Sequence, residues 1–387
     1  MIKQLNNCVC CENSDLKLIL DLGNQPLANN YLSTEDQIEN IYPLALNYCK
    51  TCTHLQLTHK VDPDLLFKNY LYVSGTAVTN RKHFEDFVNI SKQYVPNRAN
   101  NVLDVACNDG TQLMYYKQLG YNTYGIDPAK NLIDISSKYG NIICDYLTTE
   151  SINKFNTIFD IIIAQNVFAH ISNPIEFLTT CKSKLSDIGR IFIQTSQSSM
   201  VQNGEYDTIY HEHISFFNIH SIKNAISKAG LVLLDVINKP IHGNSYIFVI
   251  GKYGTQYNIV EPKLSINDLN KYVRKVHRIN HNLIKTIEIY KSIGYTIVGY
   301  GAAAKGNTVL NFGKIKLDYI VDDNELKHGL YTPGQHIKIY PTTKLTSETG
   351  KLLVIPLAWN FYNEIKQKCV TNTKTKWLRY FPEITIE

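Results

Sequence analysis

An α/β protein in three parts is predicted: a small cysteine-bearing module, a central doubly wound parallel sheet, and a second, smaller strand–helix domain. Three observations carry this. Two C-x2-C pairs fall within the first 52 residues, short apolar runs alternate with helical stretches from Asn101, and a strand, a glycine turn and a helix start recur at Thr296. At 387 residues the chain is too long for one ordinary core, and the pattern divides it at 1–68, 69–254 and 255–387. With 44% hydrophobic and 19% charged residues it reads as globular. Its formal charge of +5 comes without a long basic run, so electrostatics does not imply a nucleic-acid partner; an anionic small substrate fits equally well.

The N-terminal MIKQLNNCVCC lacks the apolar core of a signal peptide, and no window approaches 18 uninterrupted apolar residues. A cytoplasmic protein with no membrane partner is expected, and its nine cysteines are then thiols or ligands rather than a disulfide framework. Cys8 and Cys11 form one pair, Cys49 and Cys52 the other, with 37 residues between. Paired thiolates on two turns can close a tetrahedral shell around zinc with no position left for water, which makes a structural site. Cys10 and His54 are the alternative ligands, and unligated thiols the plainer reading. A zinc-ribbon nucleic-acid binder is disfavoured because the stretch between the pairs, DLGNQPLANNYLSTEDQIENIYPLAL, is acidic. The bridge FKNYLYVSGTAVTNRKHFEDF follows; its Tyr70, Tyr72, Ser74 and Gly75, taken alone, read as packing and turn residues.

In the central region NVLDVA predicts a strand ending in CNDG, followed by a helix from Gln112 to Leu119. NTYGID is a second strand, PAKNLIDISSKYG a second helix, NIICD and FDIIIAQN further strands, Ile175–Leu185 a helix and GRIFIQT the fifth strand. A doubly wound sheet binds its ligand beyond the carboxyl ends of the strands. The first loop matches neither G-x-G-x-x-G nor G-x4-G-K-[ST], so it makes a poor phosphate cradle. Asp104 and Asp109 suit a cationic ligand end, Asp127 can accept from ribose hydroxyls, and Asp145 can meet an adenine amine. Together these describe S-adenosylmethionine; each aspartate alone is as readily a helix cap.

Within YDTIYHEHISFFN, residues Tyr210, His211, Glu212 and His213 place two imidazoles, a carboxylate and a phenol in four positions, a set whose proton affinities burial can tune toward neutrality. The spacing does not match H-E-x-x-H, so proton abstraction is favoured over metal binding; a hydrogen-bonded loop is the plain alternative. Ile214, Phe216 and Phe217 are expected to anchor it to a core. KAGLVLLDVI and NSYIFVIGKY complete the sheet, and GKYGTQYNIVEP is a linker. A long helix over Ser265–Ile293 carries the stripe Leu269, Val273, Val276, Ile279, Leu283, Ile287 and Tyr290. TIVGYGAAAKGN then reads as strand, glycine turn and helix start, an amide cradle for phosphate to which Lys305 adds charge, or simply a tight packing turn.

With these motifs in place, nearly the whole chain resembles the three-domain sugar C-3'-methyltransferases, which act on nucleotide-linked 4-keto-deoxysugars. Cys8, Cys11, Cys49 and Cys52 match that family's zinc ligands, and Tyr72 in YLYVSGT its active-site tyrosine. LDVACNDG resembles the methionine-binding loop, QNVFAH aligns Asn166 and His170 with active-site positions, and YHEH aligns Tyr210, Glu212 and His213 with the catalytic group. GYGAAAKGNTVLN, IVDDNELKHGLYTPG and LAWNFYNEI resemble its C-terminal domain. Two departures stand out: Ala106 replaces a usual glycine, and IHGNSYIF places Asn244 and Ile247 where H-G-G-S-L-R has glycine and arginine.

The resemblance implies a class I methyltransferase sheet, Rossmann-like as is the C-terminal domain, with Asp104, Ala106, Asn108, Gly110, Asp127, Pro128, Asp145 and Asn166 around S-adenosylmethionine, which leaves as S-adenosylhomocysteine. His213 is expected to be the base that removes the C3 proton of the 4-keto sugar, with His170 the next candidate. Glu212 would orient an imidazole or bind a sugar hydroxyl, and Tyr210, His170 and Tyr72 would position the sugar and stabilise the enolate oxygen. Lys305, Asn307 and Lys327, with His242 and Asn244, are expected at the nucleotide-sugar, a dTDP or GDP derivative, in a monomeric enzyme. The alternatives are an O- or N-methyltransferase on the same fold and a non-catalytic zinc-containing binding module; an NAD enzyme is disfavoured by both glycine turns.

Overall fold

The computed structural model describes residues 2–67, 74–76, 78–196, 199–241, 243–369 and 371–387; Tyr70, Tyr72 and His242 lie outside them. The N-terminal module is an antiparallel sheet of β1 (Leu16–Pro26), β2 (Ile41–Cys49) and β3 (Leu55–Leu57). Its two cysteine turns share one shape. Glu12 donates its N–H to the Cys8 carbonyl and Thr53 to that of Cys49, and both Glu12 and Thr53 sit at φ 64°. The four expected Sγ atoms lie within 4.8 Å of one another, with Cys8–Cys52 and Cys11–Cys49 each at 3.5 Å. Cys10 is buried but outside this set, and His54 instead meets Ser215 Oγ at 3.2 Å.

Helix α1 (Val78–Lys92), which the bridge did not announce, leads into the central sheet. That sheet contains β4 (Asn101–Val105), β5 (Asn122–Ile126), β6 (Asn141–Ile143), β7 (Phe159–Gln165) and β8 (Leu185–Thr195), with α2 (Thr111–Gln118) after β4 and α3 (Pro174–Lys184) after β7. Val102, Leu103, Ile161, Ile162 and Ile163 are all fully buried, which is why these strands read as unbroken apolar runs: a parallel sheet is covered on both faces. PAKNLIDISSKYG does not make the full helix expected. It gives a 3-10 turn at Lys130–Leu132 and one α turn at Ile133–Ser136, because its Asn, Asp and Ser side chains compete for backbone groups; Ser136 Oγ bonds the Ile133 carbonyl at 3.2 Å.

The strand β9 (Ser215–Phe216), directly after the YHEH residues, leaves the central domain and pairs with β3 of the cysteine module, Ser215 opposite Gln56 and Phe216 opposite Leu55. Ile214, Phe216 and Phe217 are buried, as expected. Helix α4 (Ile219–Lys228), capped by Asn218, returns the chain to the sheet, where β10 (Val232–Lys239) and β11 (Ser245–Gly251) complete the order β10-β11-β8-β7-β4-β5-β6. Strand β11 runs antiparallel to both β8 and β10, and the pairs among β8, β7, β4, β5 and β6 are parallel.

Helix α5 (Ile266–Ser292) begins one residue inside the expected range, its first turn closed by a Ser265–Asp268 capping box. Leu269, Val276, Ile279, Leu283 and Ile287 of the stripe are buried, joined by Tyr272, while Val273 and Tyr290 are half-buried. They share one core with Leu20, Leu22, Leu44 and Leu46 of the cysteine module, and with Tyr206 and Ile209. Each such side chain contributes roughly 1.5–3 kcal/mol by leaving water.

The last sheet holds β12 (Thr296–Tyr300), β13 (Tyr319–Asp322), β14 (Ile339–Pro341), β15 (Leu352–Pro356), β16 (Lys376–Arg379) and β17 (Thr385–Ile386), in the order β14-β13-β12-β15-β16-β17. Helix α6 (Ala304–Gly313) follows β12, and α7 (Tyr362–Lys368) follows β15. The chain leaves β12 toward β13 on one side and returns to β15 on the other, so a topological switch point lies between β12 and β15. Helix α6 also grips both other parts: Asn307 Nδ2 donates to Ala28 O at 2.7 Å and Thr308 Oγ1 to Ile209 O at 3.1 Å. Among the described residues no helix is long and apolar enough to cross a membrane.

Candidate active site

Two cavities meet at one wall. The smaller, about 400 Å³, opens at the carboxyl ends of β4, β5, β6 and β7. The larger, about 870 Å³, lies between the cysteine module, the YHEH loop and the carboxyl ends of β12, β13 and β15. Asn166 and His170 line both.

Of the residues expected around the cofactor, Asp104, Ala106, Asn108, Asp127, Pro128, Asp145 and Asn166 line the smaller cavity. Gly110 does not. It sits at φ 77° at the start of α2, where an added Cβ would come within 3.0 Å of the Ser136 backbone, so its place is in the packing of two turns. Asp127 accepts N–H groups from Asn108 and Ala129, each at 2.8 Å, which fixes its carboxylate at the end of β5. Asp109 spends its oxygens on the N–H groups of Gly75 (2.9 Å) and Thr111 (3.1 Å), and Asn108 Oδ1 accepts from Ser74 (2.9 Å). The loop therefore holds the bridge segment, and Asp104 is the carboxyl left for a cationic group. Burial, with Asp127 and Asp109 close by, pushes the Asp104 carboxyl well above the usual range.

The electrostatics of this cavity is one-sided. Five acidic side chains (Asp104, Asp109, Asp127, Asp145 and Glu176) and no lysine or arginine are among the described residues lining it, with Lys154 reaching Asp145 from outside at 3.1 Å. A ligand carrying an ammonium and a sulfonium fits such a wall, and a phosphate does not. Ala106, Asn108 and Asn166 hold φ of 60°, 51° and 55°, so the loop bends where an L side chain is costly; the Ala106 position is one that favours glycine.

The larger cavity carries Tyr210, Glu212 and His213. Tyr210 Oη lies 2.9 Å from His213 Nε2, and His213 Nδ1 lies 2.8 Å from the Thr208 carbonyl. A carbonyl only accepts, so Nδ1 carries the hydrogen and Nε2 must be the acceptor for the Tyr210 hydroxyl. Burial, followed by the neighbouring His170, holds the His213 imidazole well below its usual range, and burial takes His170 down to about 4. Both rings are neutral near pH 7. They stand 5.1 Å apart between centroids, and His170 stacks on Phe67 at 5.3 Å. His211 turns the other way, toward the Tyr42 carbonyl at 3.3 Å.

Glu212 is 2% exposed; its Oε1 accepts from Asn29 Nδ2 at 2.6 Å, and its Oε2 has no partner among the described residues. Burial pushes its carboxyl up to about 7. Lys305 and Lys327 line the cavity, but differ. Lys327 Nζ is committed to Ala302 O (2.8 Å) and Asp322 (3.4 Å), whereas Lys305 Nζ is buried 5.6 Å from the Trp359 ring with no hydrogen-bond partner among the described residues. Asn307 and Asn244 lie off the cavity walls: Asn307 holds Ala28, and Asn244 Nδ2 donates to Ser199 Oγ at 2.7 Å. The sequence reading missed Asn29 and the Thr208 carbonyl. The first sat in a stretch read as an acidic spacer, and the second is backbone and carries no residue signal.

Three protein-family profiles match the chain in series: a zinc binding domain over residues 8–67, a methyltransferase domain over 80–236 and a C-methyltransferase C-terminal domain over 261–382. The C-methyltransferase NovU of Streptomyces niveus is 26% identical over 389 residues, spanning 94% of this chain and 92% of that protein. A ubiquinone biosynthesis O-methyltransferase of Rhizobium johnstonii is 26% identical over 175 residues, 43% of this chain and 66% of that protein. Among solved structures, the plantazolicin methyltransferase BpumL in complex with SAH superposes with TM-score 0.36 at 17% identity, covering 44% of this chain and 82% of that one. Fold, site and relatives define an S-adenosylmethionine-dependent methyltransferase. In the order of its zinc-binding, methyltransferase and C-terminal C-methyltransferase parts the chain is similar along nearly its whole length to a C-methyltransferase.

Replacing Ala106 with glycine relieves a left-handed residue, and Ala106→Gly is expected to stabilise the fold by about 1 kcal/mol, read as a higher urea midpoint. An unchanged or lower midpoint would mean that the alanine methyl is itself packed.

Proposed function

We propose that the enzyme methylates carbon C3 of a nucleotide-linked 4-keto-6-deoxyhexose, making a 3-C-methyl branched sugar. The observation that carries this is the hydrogen-bonded series Tyr210 Oη–H to His213 Nε2 and His213 Nδ1–H to Thr208 O, at the larger cavity, with the His213 ring 5.1 Å from that of His170, which lines both cavities. A carbonyl at C4 acidifies the C3 hydrogen, because the charge left behind spreads onto oxygen. S-adenosylmethionine, held by Asp104, Asp127 and Asp145, supplies an electrophilic methyl group to the nucleophilic carbon.

The chain's own work is proton transfer and placement. The C3 proton passes to Tyr210 Oη as the phenol hands its own to His213 Nε2, and Thr208 O receives the Nδ1–H of the imidazolium that results. His213 is in this reading the final acceptor of the proton rather than the group that meets C3, a change from the direct abstraction expected from the sequence, and Tyr210 is assigned the place between it and the sugar. His170 and Tyr72 are assigned to the sugar and its developing oxyanion. Glu212 bonds no imidazole in the described contacts, which favours the sugar-hydroxyl role. Lys305, at the N-terminal end of α6, is assigned to the diphosphate, where binding energy remote from the reacting carbon can hold C3 in place.

The four thiolates are assigned to one structural zinc. Their 3.5 Å contacts are close to the sulfur–sulfur spacing of about 3.8 Å that a tetrahedral shell with Zn–S of about 2.3 Å requires. Since β9 pairs with β3, an ordered cysteine module also anchors the YHEH loop.

Incubation with methyl-13C-labelled cofactor and a panel of dTDP- and GDP-linked 4-keto-6-deoxyhexoses should give a product whose label is bonded to C3 by NMR; an O- or N-methyl product would overturn the assignment. His213→Asn should slow turnover by roughly 10²–10⁴-fold, the usual reach of general-base catalysis. Elemental analysis of the purified chain should find about one zinc, lost in Cys49→Ser together with thermal stability. Wild-type protein that is metal-free and equally stable with or without zinc would contradict the metal assignment.

A further inference from the structure

The segment 27–32, LANNYL, runs from the cysteine module into the larger cavity and is held at three points. Asn307 Nδ2 donates to Ala28 O at 2.7 Å, Tyr31 Oη donates to Ala302 O at 2.5 Å, and Leu32 N–H donates to Tyr331 O at 2.9 Å. Asn29 sits between these supports, and its amide meets Glu212 Oε1 at 2.6 Å across 183 residues of chain. The other carboxylate oxygen, Oε2, is buried without a partner among the described residues on a side chain that lines the cavity.

We propose that Asn29 is a positioning residue: by holding Oε1 it fixes the plane of the Glu212 carboxylate and leaves Oε2 as the acceptor for a hydroxyl of the bound sugar. This rests on reading the larger cavity as the sugar site. A glutamate has three free torsions, and one amide on a braced loop removes most of that freedom where the carboxylate must point. The amide also favours the charged form. Burial pushes the carboxyl up to about 7 and the Asn29 donor opposes that rise, so without the donor the carboxyl keeps its proton to higher pH and presents a donating O–H where the sugar hydroxyl needs a carboxylate oxygen. The sign follows: loss of the donor raises the pKa, and activity that needs the carboxylate loses its acid side first.

The test is hydrogen–deuterium exchange at C3 of the dTDP- or GDP-linked 4-keto-6-deoxyhexose, with S-adenosylhomocysteine present, followed against pH for wild type, Asn29→Ala, Asn29→Asp and Glu212→Gln. In Asn29→Ala the acid limb should move up by about one pH unit and the rate should return toward wild type on the alkaline side; in Asn29→Asp it should move further. A uniformly lowered rate with an unmoved limb, or no change, overturns the proposal. Exchange by Glu212→Gln at the wild-type rate, or none by wild type, instead overturns the reading of the cavity. Titration of the Glu212 carboxyl by 13C NMR in protein labelled at glutamate judges Asn29 in that case: an upward shift in Asn29→Ala supports it, and an unmoved titration refutes it.

Discussion

The Thr208 carbonyl accepts the Nδ1–H of His213 at 2.8 Å, and the chemistry available to the site follows from that contact. With Nδ1 committed as a donor, Nε2 is a lone pair, and the Tyr210 hydroxyl lies on it at 2.9 Å. A neutral imidazole backed by a fixed carbonyl can take a proton and then hold the resulting cation by the same bond. The reverse tautomer would leave the Thr208 carbonyl without its donor and Nε2 as a donor facing a phenol. Burial keeps the ring uncharged at rest, so it is ready to accept.

That contact survives only because three parts of the chain hold the loop that makes it. Downstream, β9 pairs with β3 of the cysteine module; upstream, Thr308 of α6 bonds the Ile209 carbonyl; alongside, Asn29 reaches Glu212. The core is built to match, since Leu20 and Leu46 of the cysteine module, Ile209 of the central part and Leu310 of α6 belong to one apolar cluster. Separating the parts would expose that cluster and loosen the loop together. The smaller cavity is formed mainly at the carboxyl ends of β4 to β7 by the central sheet and the bridge segment latched to its first loop, with Pro63 and Phe67 of the cysteine module and the shared Asn166 and His170 tying it to the joint.

Much of this was legible in the sequence wherever one element decides the outcome alone. The buried strands read as apolar runs, Ser265 marked the start of α5, and the C-x2-C pairs marked the two turns that bring four sulfurs together. Asp104, Asp127 and Asp145 were legible because a strand's carboxyl end is a known address in a doubly wound sheet. What depends on contacts between parts was not. LANNYL shows no period and no motif, so nothing in it announces that Asn29 will meet a glutamate 183 residues away. Asn307 read as a ligand contact because it follows a glycine turn, yet the fold spends it on Ala28. Gly110 read as part of a cofactor loop, yet its freedom from a side chain serves close packing on Ser136. The turn after β5 read as a helix on its apolar residues, while its Asn, Asp and Ser side chains favoured tighter local bonds.

In the proposed function a carbon, not an oxygen or nitrogen, faces the Tyr210–His213 pair while the methyl donor sits at the Asn166–His170 wall. A crystal structure of the ternary complex with S-adenosylhomocysteine and a 4-keto-6-deoxyhexose nucleotide tests it most directly. C3 is expected within about 3.5 Å of Tyr210 Oη, on the line toward the cofactor sulfur, with the C4 carbonyl oxygen turned to His170. A sugar ring that presents a hydroxyl or amino group there, or that binds away from Tyr210 altogether, would contradict it.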